Sequence, residues 1–333
     1  MKKNLLLLAL CLLLLLSGCA GGETTAEKTV FAMDTLMTLT ARGKQAQEAV
    51  SAAESELFRL DALLNRHSET SAVAILNQTG SIENAELAAL LQRSGALTEE
   101  TGGTFDCTVA PIIDAWDIAG GGRIPSDEEL QQALDAVGFL AHVQINKDTI
   151  TLTGRSAVDL GGLGKGYAAE QIQKIYREYG VTGSADLGGD ICLIGAKSGQ
   201  DRLWRIGLKA PGGNNVLASL QATDLYVVTS GSYERYFTAE DGTVYHHILN
   251  PITGFPAESG LVSVTVLCAD GVRADALATA FFIMGVKQTK EYLAAHSDVA
   301  AVLVTGERRV LYSRSLEENN FSPLAEGYSY EAF

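Results

Sequence analysis

Three short stretches carry residue types that could do chemistry at one site. In "VDLGGLGKGYAAEQI", Val158 to Ile172, four glycines and Lys165 run directly into a helical pattern. Backbone N–H groups at a helix start, freed of Cβ bulk and joined by an ammonium, favour an anion such as a phosphate. The two common glycine motifs do not fit. A Walker A loop has Gly and Ser/Thr where Asp159 and Gly166 stand, and a dinucleotide fingerprint has Gly where Tyr167 stands. A glycine-rich turn that merely caps a helix is the competing reading.

The second stretch is "RADALATA", Arg273 to Ala280, in which Asp275 and Thr279 lie four apart among apolar neighbours. On a helix that spacing sets a carboxylate and a hydroxyl on one face. Two hard oxygens suit Mg²⁺, which completes its octahedron with waters and ligand phosphates. A helix-dipole Asp and a Thr bonded to its own backbone would give the same pattern. The third stretch, "YHHILNPITGFP" from Tyr245 to Pro256, leads a histidine pair into turn chemistry. Adjacent strand residues point to opposite faces, so His246 and His247 cannot form a two-histidine metal site, and at most one is a base for a hydroxyl. A structural turn histidine is the alternative.

The chain end bears on compartment. "MKKNLLLLALCLLLLLSGC" sets two lysines before an apolar run, Leu5 to Leu16, that is too short to span a bilayer. The pattern predicts a signal peptide over residues 1–18. Leu16-Ser17-Gly18-Cys19 resembles the bacterial lipobox, which implies lipid attachment at Cys19 and a protein anchored on the extracytoplasmic face of a cell membrane. Residues 19–28 are expected as a lipidated tether and 29–333 as the folded domain, long enough for a sizeable core. The net charge of −15 over 333 residues argues against nucleic-acid binding, so an anionic ligand needs a local device such as a metal or a lysine. Cys107, Cys192 and Cys268 form no Cys-x-x-Cys pair, which predicts buried thiols, with one disulfide left open.

Elements that would position these groups follow from periodicity. Helices are expected over 44–67, 83–100, from the Ser126/Glu129 capping box to Gly138, from the glycine stretch to Gly180, and near 272–285 and 287–296. Strands are expected at 191–194, 204–208, 225–228 and 261–267. Hairpins are expected over 143–153, through Asp241-Gly242, and at 301–305 with 310–313. Strands mixed with separate helices indicate an α+β fold with mostly antiparallel pairing.

Taken in order, "AMDT" (32–35), "SAVAILN" (71–77), "GGTFDCTVAPI" (102–112), "DLGGLGKGYA" (159–168), "ADLGGDI" (185–191), "TSGSYERYF" (229–237), "HILNPITGFP" (247–256) and "ADALATA" (274–280) resemble the ApbE family of flavin transferases across nearly the whole chain. The resemblance implies a T-fold-like architecture. It also implies FAD as substrate, with Mg²⁺-dependent transfer of FMN to a Ser or Thr hydroxyl of an acceptor protein and release of AMP.

By the same resemblance Asp159 and Lys165 would contact FAD. Asp275, Thr279 and the carbonyls of Gly162 and Ala278 would hold Mg²⁺, and His247 would be the catalytic base with Lys165 assisting. Met33, Thr104, Phe105, Asp106 and the Val262 backbone would contact the nucleotide, and Gly188-Gly189 would shape the wall. Asp34 stands where the family usually has Gly, His67 where an aromatic residue often meets the flavin, and Asn250 where Asp is common. An FAD pyrophosphatase, a non-catalytic flavin-binding lipoprotein and a solute-binding lipoprotein are the other readings these residues leave open.

Overall fold

A computed structural model describes residues 24–197, 203–213 and 215–333. The expected signal peptide and Cys19 lie outside the described residues. Among those residues the strands form four sheets. The largest runs β1 (Thr25–Ala32), β2 (Thr35–Arg42), β6 (Thr182–Leu187), β7 (Ile191–Ile194), β10 (Tyr226–Gly231), β13 (Leu261–Cys268), β14 (Ala300–Thr305), β15 (Arg309–Tyr312) and β17 (Ser329–Ala332). Its pairings are antiparallel except β15 with β17. A small sheet orders β3 (Ser81–Glu83), β5 (Thr149–Leu152) and β4 (Val143–Asn146). Another orders β16 (Ser322–Pro323), β9 (Val216–Ala222) and β8 (Trp204–Lys209), and β11 (Tyr236–Thr238) pairs only with β12 (Val244–His246).

Side-chain alternation explains the layers. In β10, Tyr226 and Val228 face one core while Val227 faces another; in β13, Val264 and Val266 oppose Leu267 in the same way. The first face is covered by α1 (Ala46–Leu64), α7 (Gly164–Glu178) and α8 (Gly271–Ala295), the second by β8 and β9. A further core joins α2 (Ala72–Thr79), α3 (Ala85–Glu100) and α6 (Phe139–His142) to the far side of α8. Flanked by cores on two sides, α8 is apolar nearly all round as far as Phe282, as a buried stretch must be, while its second half exposes Lys287 and Glu291. The remaining helices, α4 (Ala110–Trp116) and α5 (Asp127–Leu134), pack on each other around Trp116 and Leu130, and the Ser126/Glu129 capping box opens α5.

The α+β class and antiparallel pairing agree with the sequence. One expectation changes: β1 already begins at Thr25, so residues 25–28 belong to the sheet rather than to a tether. The two helices expected near 272–285 and 287–296 are both present, joined as α8, and part at Gly285, whose φ of 73° favours glycine. No described helix is long and apolar enough to cross a membrane.

Candidate active site

The glycine stretch is built for a helix crossing rather than for an open phosphate cradle. A Cβ on Gly166 would stand 2.1 Å from the Gly271 carbonyl oxygen, and one on Gly271 would stand 2.6 Å from the Gly166 oxygen. The first turns of α7 and α8 therefore touch backbone to backbone. That contact delivers the Asp275 carboxylate to the start of α7, where Oδ2 accepts the Gly166 N–H at 2.9 Å. Gly164 N–H donates to the Leu160 carbonyl at 2.7 Å, and Gly161 N–H to Asp159 Oδ1 at 2.8 Å. These donors are already engaged, so the anion held at this helix start is the chain's own carboxylate. What remains for a phosphate is the charge of Lys165.

Lys165 pairs with Asp190, a residue 3% exposed whose Oδ1 also accepts the Thr229 N–H at 3.1 Å. Burial works against the ammonium, but Asp190 and Asp275 overcome it and raise its pKa. Asp275, 4% exposed, goes the other way: burial, then the Asp190 charge, push it well above the ordinary carboxylate range. Two buried carboxylates sharing one ammonium are short of positive charge, and that suits a cation. Thr279 presents its hydroxyl 3.5 Å from that of Ser230. Gly162 lies beside it, where a Cβ would come within 3.7 Å of Thr279 Oγ1. The donor set of carboxylate, hydroxyl and nearby carbonyl is hard oxygen, as Mg²⁺ requires. Among the described residues no group of three or more His, Cys, Asp and Glu could hold a metal. Ala278, the neighbour of Thr279, is fully buried and does not itself line the cavity.

These groups open onto a cavity of about 740 Å³. His247 lines it from the segment following β12. Its N–H and its Nδ1 both meet the Arg235 carbonyl, at 3.0 and 3.1 Å. A carbonyl only accepts, so Nδ1 carries the proton and Nε2 is left as the proton acceptor. Burial pushes the ring's pKa down to about 4. His246 faces away, with Nε2 on the Ala257 carbonyl at 3.0 Å and Nδ1 accepting the Ile248 N–H at 3.3 Å, a structural turn histidine.

Met33 and Asp34 enter the cavity from the β1–β2 turn, with φ of 48° and 60°. That two-residue turn holds both positions in the left-handed region, where glycine is the least strained residue. Thr104 and Phe105 line the cavity after α3; Thr104 donates to the Thr101 carbonyl at 2.9 Å and Phe105 N–H to the Thr101 hydroxyl at 3.2 Å. Asp106 is present too, but both its oxygens are engaged: Oδ1 by Thr108 at 2.8 Å and 2.6 Å, Oδ2 by the Phe139 N–H at 2.9 Å. It holds the loop in place. His67 is an exposed lining residue. Val262 does not line the cavity, and its carbonyl accepts the Ser232 N–H at 3.2 Å. Gly188 and Gly189 do form part of the wall.

Sequence reasoning missed Asp190 and Arg66. Asp190 sits in a quoted motif, and its signal was a lone charge between glycines and an apolar strand. Arg66 pairs with Asp114 and, at 3.3 Å, with Asp159 Oδ2, so Asp159 is held by a guanidinium instead of standing free. Nothing in the local sequence marked Arg66. Cys107, Cys192 and Cys268 are free, buried thiols, as expected.

The family model described as ApbE family matches residues 33–303. The chain is 30% identical to a FAD:protein FMN transferase of Treponema pallidum over 92% of each sequence, and 30% identical to one of Klebsiella pneumoniae over 84% of each. It is similar to the crystal structure of the ApbE protein of Thermotoga maritima, with a TM-score of 0.83 and 30% identity over 89% of this chain and 99% of that one. A flavin transferase ApbE from Vibrio cholerae shares the fold at a TM-score of 0.79 and 22% identity, over 90% of this chain and 100% of that one.

Proposed function

The chain belongs to the ApbE family, and on that premise we propose that it transfers FMN from FAD to a Ser or Thr hydroxyl of an acceptor protein, releasing AMP. The observation that carries this reading is His247, whose bonded Nδ1 leaves Nε2 free over the cavity that also receives Lys165 and Asp275. A hydroxyl attacking the FMN phosphorus must lose its proton, and Nε2 is placed to take it. Lys165 sets its charge against the pyrophosphate oxygens, with Asp190 fixing the ammonium from behind. Met33, Phe105 and His67 supply the apolar and aromatic surface for the nucleotide and flavin. Asp275, Thr279 and the Gly162 carbonyl would hold Mg²⁺. Bound there, the ion neutralises pyrophosphate charge.

The same reading places the protein on a membrane through lipid at Cys19, with its acceptor a secreted or membrane protein. Replacing Cys19 by Ala should release the protein from the membrane fraction; unchanged fractionation would remove the anchor. The transfer itself is tested by mixing purified protein with FAD, Mg²⁺ and folded candidate acceptors carrying an exposed Thr, then weighing each intact protein and assaying AMP. An FMN-sized mass gain on an acceptor with matching AMP supports transfer. AMP and FMN in equal amounts with no labelled protein would mean either FAD pyrophosphatase activity or the wrong acceptors, and the same result across every acceptor tried would favour the pyrophosphatase.

A further inference from the structure

Beside the main cavity lies a shallow arm of about 430 Å³ lined by Asp34, Ile118, Ala119, Glu234, Arg235 and Tyr236. All but Tyr236 also line the main cavity, so the two are continuous. The arm meets the cavity beside the base, because Arg235 contributes the carbonyl that holds His247. Its outer wall is the isolated β11–β12 hairpin. Phe237 and Tyr245 stack at 5.3 Å on the inner face, and Tyr245 packs 5.1 Å from Trp116, which pins the hairpin to the protein. Alternation then turns Tyr236 and Val244 outward, each 55% exposed.

We propose that this arm docks the acceptor protein, taking an extended segment whose target hydroxyl reaches His247 while a flanking residue packs on Tyr236. The proposal rests on the FMN-transfer reading and names the site of its second substrate. Charge selects the occupant. The arm's lining sets two carboxylates, Asp34 and Glu234, against one guanidinium, Arg235, and the resulting net negative charge disfavours the dianionic pyrophosphate of FAD while admitting a polypeptide with backbone N–H donors. An exposed tyrosine, large and rigid with a polar tip, is one of the side chains enriched as anchors of such contacts.

The test uses the full chain with FAD, Mg²⁺ and a library of short peptides, each with one fixed central Thr and randomised flanks, beside a folded candidate acceptor with an exposed Thr. Wild type should label a subset of peptides sharing residues beside the Thr. Tyr236→Ala should lower labelling of that subset about tenfold and lose the flanking preference, with FAD affinity, read by flavin fluorescence, unchanged. Tyr236→Phe should retain most labelling. Equal labelling by wild type and Tyr236→Ala overturns the proposal, as does a parallel loss of FAD affinity, which would assign the arm to the nucleotide. Labelling of the folded acceptor but of no peptide also overturns it while leaving transfer intact. If neither is labelled, the transfer reading falls as well.

Discussion

His246 and His247 are neighbours in sequence with opposite surroundings. His246 uses both ring nitrogens on backbone groups, so it has no lone pair to offer, whereas His247 keeps Nε2. The sequence could say only that the two face apart; which one is the base depends on partners eleven and twelve residues away in loop and hairpin. Because burial lowers the His247 pKa to about 4, the neutral ring persists well below neutrality. Transfer at saturating FAD, acceptor and Mg²⁺, the last holding Asp275 ionised against its raised pKa, should therefore hold as pH falls through the ordinary histidine range near about 6.5 and decline only on approach to about 4. An acid limb at the ordinary value would show a solvated ring instead. His247→Ala should cost roughly 10²–10⁴ in rate with FAD affinity kept, checked by single-turnover kinetics and fluorescence titration. Lys165 and Asp190 form the other residue-level unit. Lys165→Met strands a buried carboxylate and should destabilise by roughly 3 kcal/mol, and adding Asp190→Asn should recover most of it, as a denaturant double-mutant cycle would read. If the two losses simply add, the pair is not energetically coupled.

At the scale of elements, the α7–α8 crossing sets the position of Asp275. Gly166→Ala would drive a Cβ into the Gly271 backbone, where no side chain can give way. The helices must separate, at a cost of about 1–3 kcal/mol, and the Gly166 N–H to Asp275 bond goes with them. A lower denaturant midpoint together with weakened Mg²⁺ response is the expected outcome; a variant with native stability would mean the crossing is slack. The β1–β2 turn gives the opposite sign. Asp34→Gly relieves a left-handed non-glycine residue and should raise stability by about 0.5–1 kcal/mol, measured the same way. Helix α5 with its capping box, the 143–153 hairpin and α7 were legible because each is signalled by residues within one turn or one strand. The β1–β2 hairpin was not, since its turn carries Met33 and Asp34 rather than glycine, and the purpose of Gly166 was not, since its partner lies more than a hundred residues away.

Over the whole molecule the cavity lies beside α8, the helix that two separate cores share, so its lining comes from segments spread between Met33 and Ile283. The antiparallel α+β class could be read from runs of strands and helices, but the order that places β10 between β7 and β13 depends on pairings no local pattern encodes. That arrangement gathers Asp190, Asp275 and Lys165 into an interior with more carboxylate than ammonium, in a chain already at −15. Folding must hold that imbalance against its own repulsion, so an ion that binds only the folded chain should stabilise all of it. At about 100 times its dissociation constant such a ligand adds about 2.7 kcal/mol, several degrees in melting temperature. Mg²⁺ should accordingly raise the melting temperature of the FAD-free protein, Ca²⁺ should do so less because the site offers few protein oxygens, and Asp275→Asn should abolish the shift. A melting curve indifferent to Mg²⁺, or a variant that still responds, would place the ion somewhere other than beside Asp275.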